Sequence, residues 1–174
     1  DLHLPQEAEP AVAHLLVVPE LPLEFLRHGQ VRQALALLQD QLELAGQLGS
    51  LRDTLRTLNG LGKALTRAGQ IEAGIEAFRR GVWHAEQSDD VEALSGAQRL
   101  LGIQLHKVGR FAQAVEHLQA AWVLRPSIGG KDAAHTGLWL CRALARLNRE
   151  EEARAVVMEA LEIAREVSSR HAEA

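Results

Sequence analysis

One short motif recurs along this chain at a spacing of forty residues. Gly29-Gln30-Val31-Arg32-Gln33-Ala34 is followed by Gly69-Gln70-Ile71-Glu72-Ala73-Gly74 and then by Gly109-Arg110-Phe111-Ala112-Gln113-Ala114. A looser copy, Asn148-Arg149-Glu150-Glu151-Glu152-Ala153, closes the series one residue short of the same step. Self-similarity at a period of roughly 20–50 residues marks a solenoid, whose units each pack on their neighbours. Function is then expected on a repeated surface rather than in one pocket, so binding is the expected class of activity.

Composition makes the repeat helical. Leu, Ala, Glu, Arg and Gln dominate, a helix-forming mixture, and long Val/Ile/Thr alternations are absent. Each forty-residue row holds two helical patterns, A and B, joined at the motif. In the second row, helix A runs from about 50 to 68, with Ser50 as N-cap and Asp53 three residues on. Gly69 supplies a positive-φ turn, and helix B covers about 70–87. In the third row Asp89 with Glu92 resembles a capping box, and helix B stops before Pro126. The fourth row pairs about 132–147 with 149–168. Leu51, Leu55, Leu58, Leu61, Leu65 and Ala68 form one apolar stripe, and Val91, Leu94, Ala97, Leu101, Leu105 and Val108 form its copy. Gly62, Gly102 and Cys141 share one place in helix A, opposite Gly74, Ala114 and Ala153 in helix B. Small residues at both places let the two helices approach closely.

These residues carry a resemblance. Leu61-Gly62, Leu65, Gly69-Gln70-Ile71, Gly74 and Phe78 resemble the tetratricopeptide repeat, as do Leu101-Gly102, Leu105, Gly109-Arg110-Phe111, Ala114, Leu118, Ala121 and Pro126. The fourth row is similar with Asn148 in the place of the turn glycine, and the first from Phe25 onward. The unit is longer than the family's usual one, as in bacterial multidomain regulators. The resemblance implies an all-α fold, a right-handed superhelix of stacked antiparallel helix hairpins. Residues 1–21 are expected to be an irregular segment or short helix, and 22–170 an array of about four repeats, its first helix beginning near Pro22. Residues 171–174 read as the opening of a further repeat, in a fragment of a longer signalling or regulatory protein.

Several classes of chemistry find no support. The eight histidines include no His-x3-His pair, and those at 106 and 117 flank a turn without acidic or thiol ligands at metal spacing. Cys141 sits at the small-residue place, as a packed thiol; as the single cysteine it permits no internal disulfide and fits a reducing, cytoplasmic compartment. Ser127-Ile128-Gly129-Gly130-Lys131 lacks P-loop spacing and reads as a linker. Asp89-Asp90 and Glu150-Glu151-Glu152 fall at helix starts, where the macrodipole favours them. No enzyme, metal or cofactor is expected. No apolar run approaches the roughly 20 residues that span a bilayer, so no membrane partner is expected. A net charge of −4 argues against nucleic acid.

The resemblance implies that helix A lines the concave face. The family's groove-facing places fall on Arg56, Asn59, Lys63 and Arg67 in the second row. In the third they fall on Arg99, Ile103, His106 and Lys107, and in the fourth on His135, Leu138, Arg142 and Arg146. The charged members are basic, whereas Glu72, Glu76, Glu116, Glu151, Glu159 and Glu162 lie on B helices. A basic groove selects an acidic protein or peptide through charge-assisted hydrogen bonds, for which the planar guanidinium is well shaped. Trp139, on helix A, is the aromatic anchor expected there, while Trp83 and Trp122 are expected to pack against following repeats. The alternative is a self-assembly element, whose exposed repeat ends join copies into a homo-oligomer.

Overall fold

The computed structural model describes Phe25 and residues 30–172. Among them are seven α-helices and no strand: α1 (Val31–Gln47), α2 (Leu51–Arg67), α3 (Ile71–Glu86), α4 (Val91–Lys107), α5 (Phe111–Val123), α6 (Gly130–Arg146) and α7 (Glu150–Ala172). One 3-10 turn, Arg125–Ser127, lies between α5 and α6 and carries Pro126. The expected start of a first helix near Pro22 and the character of residues 1–21 lie outside the described residues. The chain divides into two compact units between Gly81 and Val82, a point within α3.

The turns explain why helices begin and end where they do. Gly69 and Gly109 have φ of 79° and 81°, and Asn148, at the same repeat position, has φ of 56°. At each, the next amide reaches back five residues: Gln70 N–H donates to the Leu65 carbonyl at 2.9 Å, Arg110 N–H to Leu105 at 2.9 Å, and Arg149 N–H to Leu144 at 3.1 Å. This closes the helix by satisfying carbonyls that its last turn leaves open, and it needs a residue at ease in the left-handed region. Glycine is the usual choice, and asparagine the common substitute. At the helix starts, the Ser50 hydroxyl accepts from Asp53 N–H at 3.3 Å. The α4 cap is Asp90 rather than Asp89. Asp90 immediately precedes the helix with extended backbone, φ −86° and ψ 96°, which aims its carboxylate at Ala93 N–H, 2.9 Å away. Helix α7 continues through His171 and Ala172, residues expected to open another helix, because neither proline nor glycine interrupts the chain after Asn148.

In the first unit α1 packs on α2 around Ala34, Leu38, Leu61, Ala64 and Ala77, with Phe25, Leu35, Leu42 and Leu65 against them. The small residue at 62 is required by α3: a Cβ there would lie 2.5 Å from the Phe78 ring. In the second unit α4 packs on α5, α5 on α6 and α6 on α7. Leu101, Leu105, Leu118, Leu140 and Leu144 are fully buried between them. Trp122 is buried as expected, its ring over Gly137, where a Cβ would stand 2.7 Å from it. Trp83 is 57% exposed and so does not serve the packing role expected of it; its ring meets the edge of neighbouring His84. Cys141 is half-buried. No described helix is long and apolar enough to cross a membrane.

Candidate partner-binding surface

Four of the expected surface residues, Arg56, Asn59, Lys63 and Arg67, belong to the first unit and the rest to the second. In the first, Arg56 is exposed but engaged, its guanidinium donating to Asp53 at 2.7 Å within the same helix. Asn59 is partly buried, and its Oδ1 has no hydrogen-bond partner. Lys63 is half-buried and engaged, while Arg67 is exposed in the last turn of α2.

The second unit gathers its residues into one connected group. Arg142 lies over the Trp139 ring, 4.9 Å from its centroid. Trp139 meets His106 edge-on at 5.4 Å, and His106 meets Phe111 in the same manner at 5.2 Å. Arg146 covers Phe111, 4.6 Å from the centroid. Three elements therefore build a ladder in which two guanidiniums cap three aromatic rings: the C-terminal turn of α4, the first residue of α5 and the second half of α6. Stacking on a ring restrains a long side chain without using its hydrogen-bond donors, so each fork keeps donors for a ligand. Lys107 holds in α4 the repeat position that Arg146 holds in α6. None of Lys107, Arg142 and Arg146 has an ion-pair partner among the described residues. Ile103 is only 6% exposed and belongs to the core, whereas Leu138 is exposed.

At the other end of the group stands His135. Arg99 Nη1 approaches its Nδ1 at 2.9 Å, and Trp139 Nε1–H donates to its Nε2 at 3.1 Å. A neutral imidazole accepts at one nitrogen only, and both neighbours are donors without acceptor capacity. One donor is therefore unsatisfied whichever tautomer is present. Arg99 adds to the excess: its side chain is 18% exposed, Nη2 donates to Asp132 at 2.8 Å, and its buried Nε has no partner. A cavity of about 40 Å³ beside it, lined also by Glu92, Ser95 and Asp132, has room for one water. Donors outnumber acceptors at the Arg99, His135 and Trp139 cluster.

Both histidines are shifted toward the neutral form. Burial, and then Arg146 and Arg142, lower the His106 pKa below the ordinary histidine value. Burial likewise lowers that of His135, with Arg99 and Arg142 adding to the shift and Asp132 opposing it. The histidine contacts, the stacking and the excess of donors were not foreseen from sequence. Phe111 was missed as well, although its place at the first turn of α5, next to the helix A terminus, was visible in the repeat. Among the described residues, no group of three His, Cys, Asp or Glu is placed to hold a metal.

No protein-family model matches the chain, and no curated protein does. Solved structures match it closely in shape. BtubC from P. vanneervenii superposes with a TM-score of 0.74 at 14% identity, over 88% of this chain and 64% of that one. RapI, in its apo form, gives 0.77 at 13%, over 93% and 60%. The nearly identical TPR-like repeats of a putative kinesin light chain from Podosopora anserina give 0.74 at 19%, over 94% and 78%. The chain spans less than two thirds of the length of BtubC and of RapI. The fold is that of tetratricopeptide-like helical repeats, all-α and built of stacked helix hairpins.

Proposed function

We propose that this chain is a non-catalytic binding module, part of a larger regulatory protein, whose second unit receives an acidic segment of a partner protein. One observation carries the reading. Arg142 and Arg146 lie over aromatic rings and have no carboxylate partner among the described residues. Two preorganised guanidiniums, with Lys107 on the same row of repeat positions, offer paired donors to carboxylate oxygens at little ordering cost. Trp139 and Phe111 give such a segment an apolar floor. The same face would recruit or sense its partner without transforming it.

The test uses the whole chain and fluorescein-labelled hexaglutamate, acetylated and amidated, followed by anisotropy. Saturable binding that unlabelled hexaglutamate competes away is the expected result. The Arg142→Glu/Arg146→Glu variant should lose it while helical circular dichroism stays unchanged. Equal binding by wild type and variant would sink the reading. So would tighter binding of a single-stranded oligonucleotide carrying the same charge, since acidic protein is the partner proposed.

A further inference from the structure

Helix α7 packs through one face and presents the opposite one to solvent. Ala153, Ala160, Ile163 and Val167 turn toward α6: a Cβ on Gly137 would stand 2.7 Å from Ala160, and one on Gly130 would stand 2.6 Å from Val167. On the far side of the helix lie Ala155, Met158 and Leu161, the last two 59% and 51% exposed. Glu151 and Arg154 border this apolar centre on the N-terminal side, and Glu162 and Arg165 on the C-terminal side, all four exposed.

The repeat shows how this face differs from its equivalents. Ile75 in α3 and Val115 in α5 hold one repeat position, Val82 and Trp122 another, and all four are buried. Helix α7 has Arg154 at the first position and Leu161 at the second, both exposed. In α5 the second position packs on the helix that opens the following row, with Trp122 against Gly137. With an arginine at the first position, the α7 face suits a helix of complementary charge better than another hairpin of the array. An apolar centre inside a charged border is the anatomy of an interface between proteins.

We propose that this face binds the same face of a second copy of the chain, α7 against an antiparallel α7, in a two-fold symmetric dimer. The charges select both orientation and register. With Met158 opposite its own counterpart, an antiparallel pair sets Leu161 level with Ala155, Arg154 with Glu162, and Glu151 with Arg165. Symmetry makes each pair occur twice, and each of the four charges meets an opposite one. Parallel helices would set every charge against its own kind. An antiparallel pair with Met158 opposite Leu161 would set Arg154 level with Arg165. The contact of Arg154 with Glu151 in its own helix, 3.4 Å, leaves both side chains largely exposed and free to turn to a partner. From Glu151 to Arg165 the contact runs only about 21 Å, so a weak dimer is expected, with a dissociation constant on the order of 10–100 µM. No residue of the basic surface takes part, and the proposal stands apart from the reading of that surface as a receptor.

Sedimentation equilibrium of the whole chain, from about 5 µM to about 500 µM, brackets that constant. The expected result is a monomer–dimer equilibrium without larger species, because a two-fold contact closes on itself. Arg154→Glu and Glu162→Arg each set like charges level twice per dimer and should weaken association about tenfold or more. The combined Arg154→Glu/Glu162→Arg chain restores opposite charges at both places and should recover dimerisation. Met158→Glu, at the symmetric centre, should leave a monomer. All these positions are exposed, so helical circular dichroism should stay unchanged in every variant. A monomer across the whole range overturns the proposal and leaves the face to a different helix. A dimer indifferent to Met158→Glu, or a combined variant no better than the single ones, overturns it by placing the contact elsewhere.

Discussion

Replacing Arg142 by lysine asks whether this surface recognises shape as well as charge. The positive charge is kept, but two interactions are lost. The first is the stack on Trp139 at 4.9 Å, worth about 0.5–1 kcal/mol at an exposed position. The second is the second arm of a forked hydrogen bond to carboxylate. A hydrogen bond to a charged group contributes about 1.5–3 kcal/mol, part of which the lysine ammonium regains. The combined loss is about 1–2 kcal/mol, or about 5- to 30-fold in the dissociation constant for hexaglutamate. Anisotropy at about 0.15 M salt is the suitable assay, since screening over about 8 Å leaves contact pairs while muting the distant field. Arg142→Glu should cost more than the lysine variant because it adds repulsion from the ligand. Trp139→Leu should weaken binding by an amount similar to Arg142→Lys, because it removes the platform while leaving the fork. An Arg142→Lys protein that binds within twofold of wild type would refute the reasoning: the face would then act as undirected charge.

Three other perturbations test the fold and its protonation. Gly102→Val should lower the urea midpoint with unchanged slope, a loss of about 1–3 kcal/mol, because a Cβ at 102 lies 2.6 Å from Leu118 Cγ and 3.2 Å from the Ala114 carbonyl. At Asn148, whose φ is 56°, alanine should lower the thermal midpoint through a cost of about 1 kcal/mol, and glycine should match or exceed wild type; the reverse order would contradict the turn described. His106 and His135 both have folded pKa values lowered chiefly by burial, so the unfolded chain binds more protons as pH falls. Denaturant titrations should therefore show stability lost as pH drops below about 6.5, levelling once the folded values are passed, and the His106→Gln/His135→Gln protein should show a flatter profile.

The helices were legible in the sequence because their apolar stripes and stop residues act locally. Leu101, Leu105 and Leu118 recur at spacings that only a helix face satisfies, and all three are fully buried. Gly69, Gly109 and Asn148 mark turns because few other residues tolerate the required φ. Boundaries set by competition were harder to read. Asp89 and Asp90 are both good caps, and the backbone angle at position 90 decides between them. Trp122 shows a different limit. The repeat placed Cys141 at the small-residue place of the fourth row, and a further close approach lies one helical turn earlier at Gly137, where a Cβ would stand 2.7 Å from the Trp122 ring and from the Ala160 Cβ. That indole comes from the preceding row, whereas Phe78 and Leu118 meet Gly62 and Gly102 within their own hairpins. Periodicity fixes which face a residue takes, but not how far a neighbouring side chain extends.

The basic surface of the second unit follows from local neighbours that the net charge of −4 conceals. On a helix, residues three apart are neighbours, so the partner at that spacing decides what an arginine does. Arg56 finds Asp53 there, Arg79 finds Glu76 and Arg154 finds Glu151, and each forms an ion pair. Arg142 finds Trp139 and stacks on it. Arg146 has Ala143 at that place and turns instead to Phe111 of the adjoining helix. Lys107 has Gln104, which is buried. Arg56, Arg79 and Arg154 thus pair with an acidic residue three positions away, and Arg99 and Arg125 with Asp132 and Glu159 of another helix, whereas Lys107, Arg142 and Arg146 have apolar or neutral neighbours at that spacing. On α4 and α6 such positions share one repeat register. An acidic protein consequently carries a positive face, and the aromatic rings that replace the missing carboxylates also hold the guanidiniums in place for a ligand.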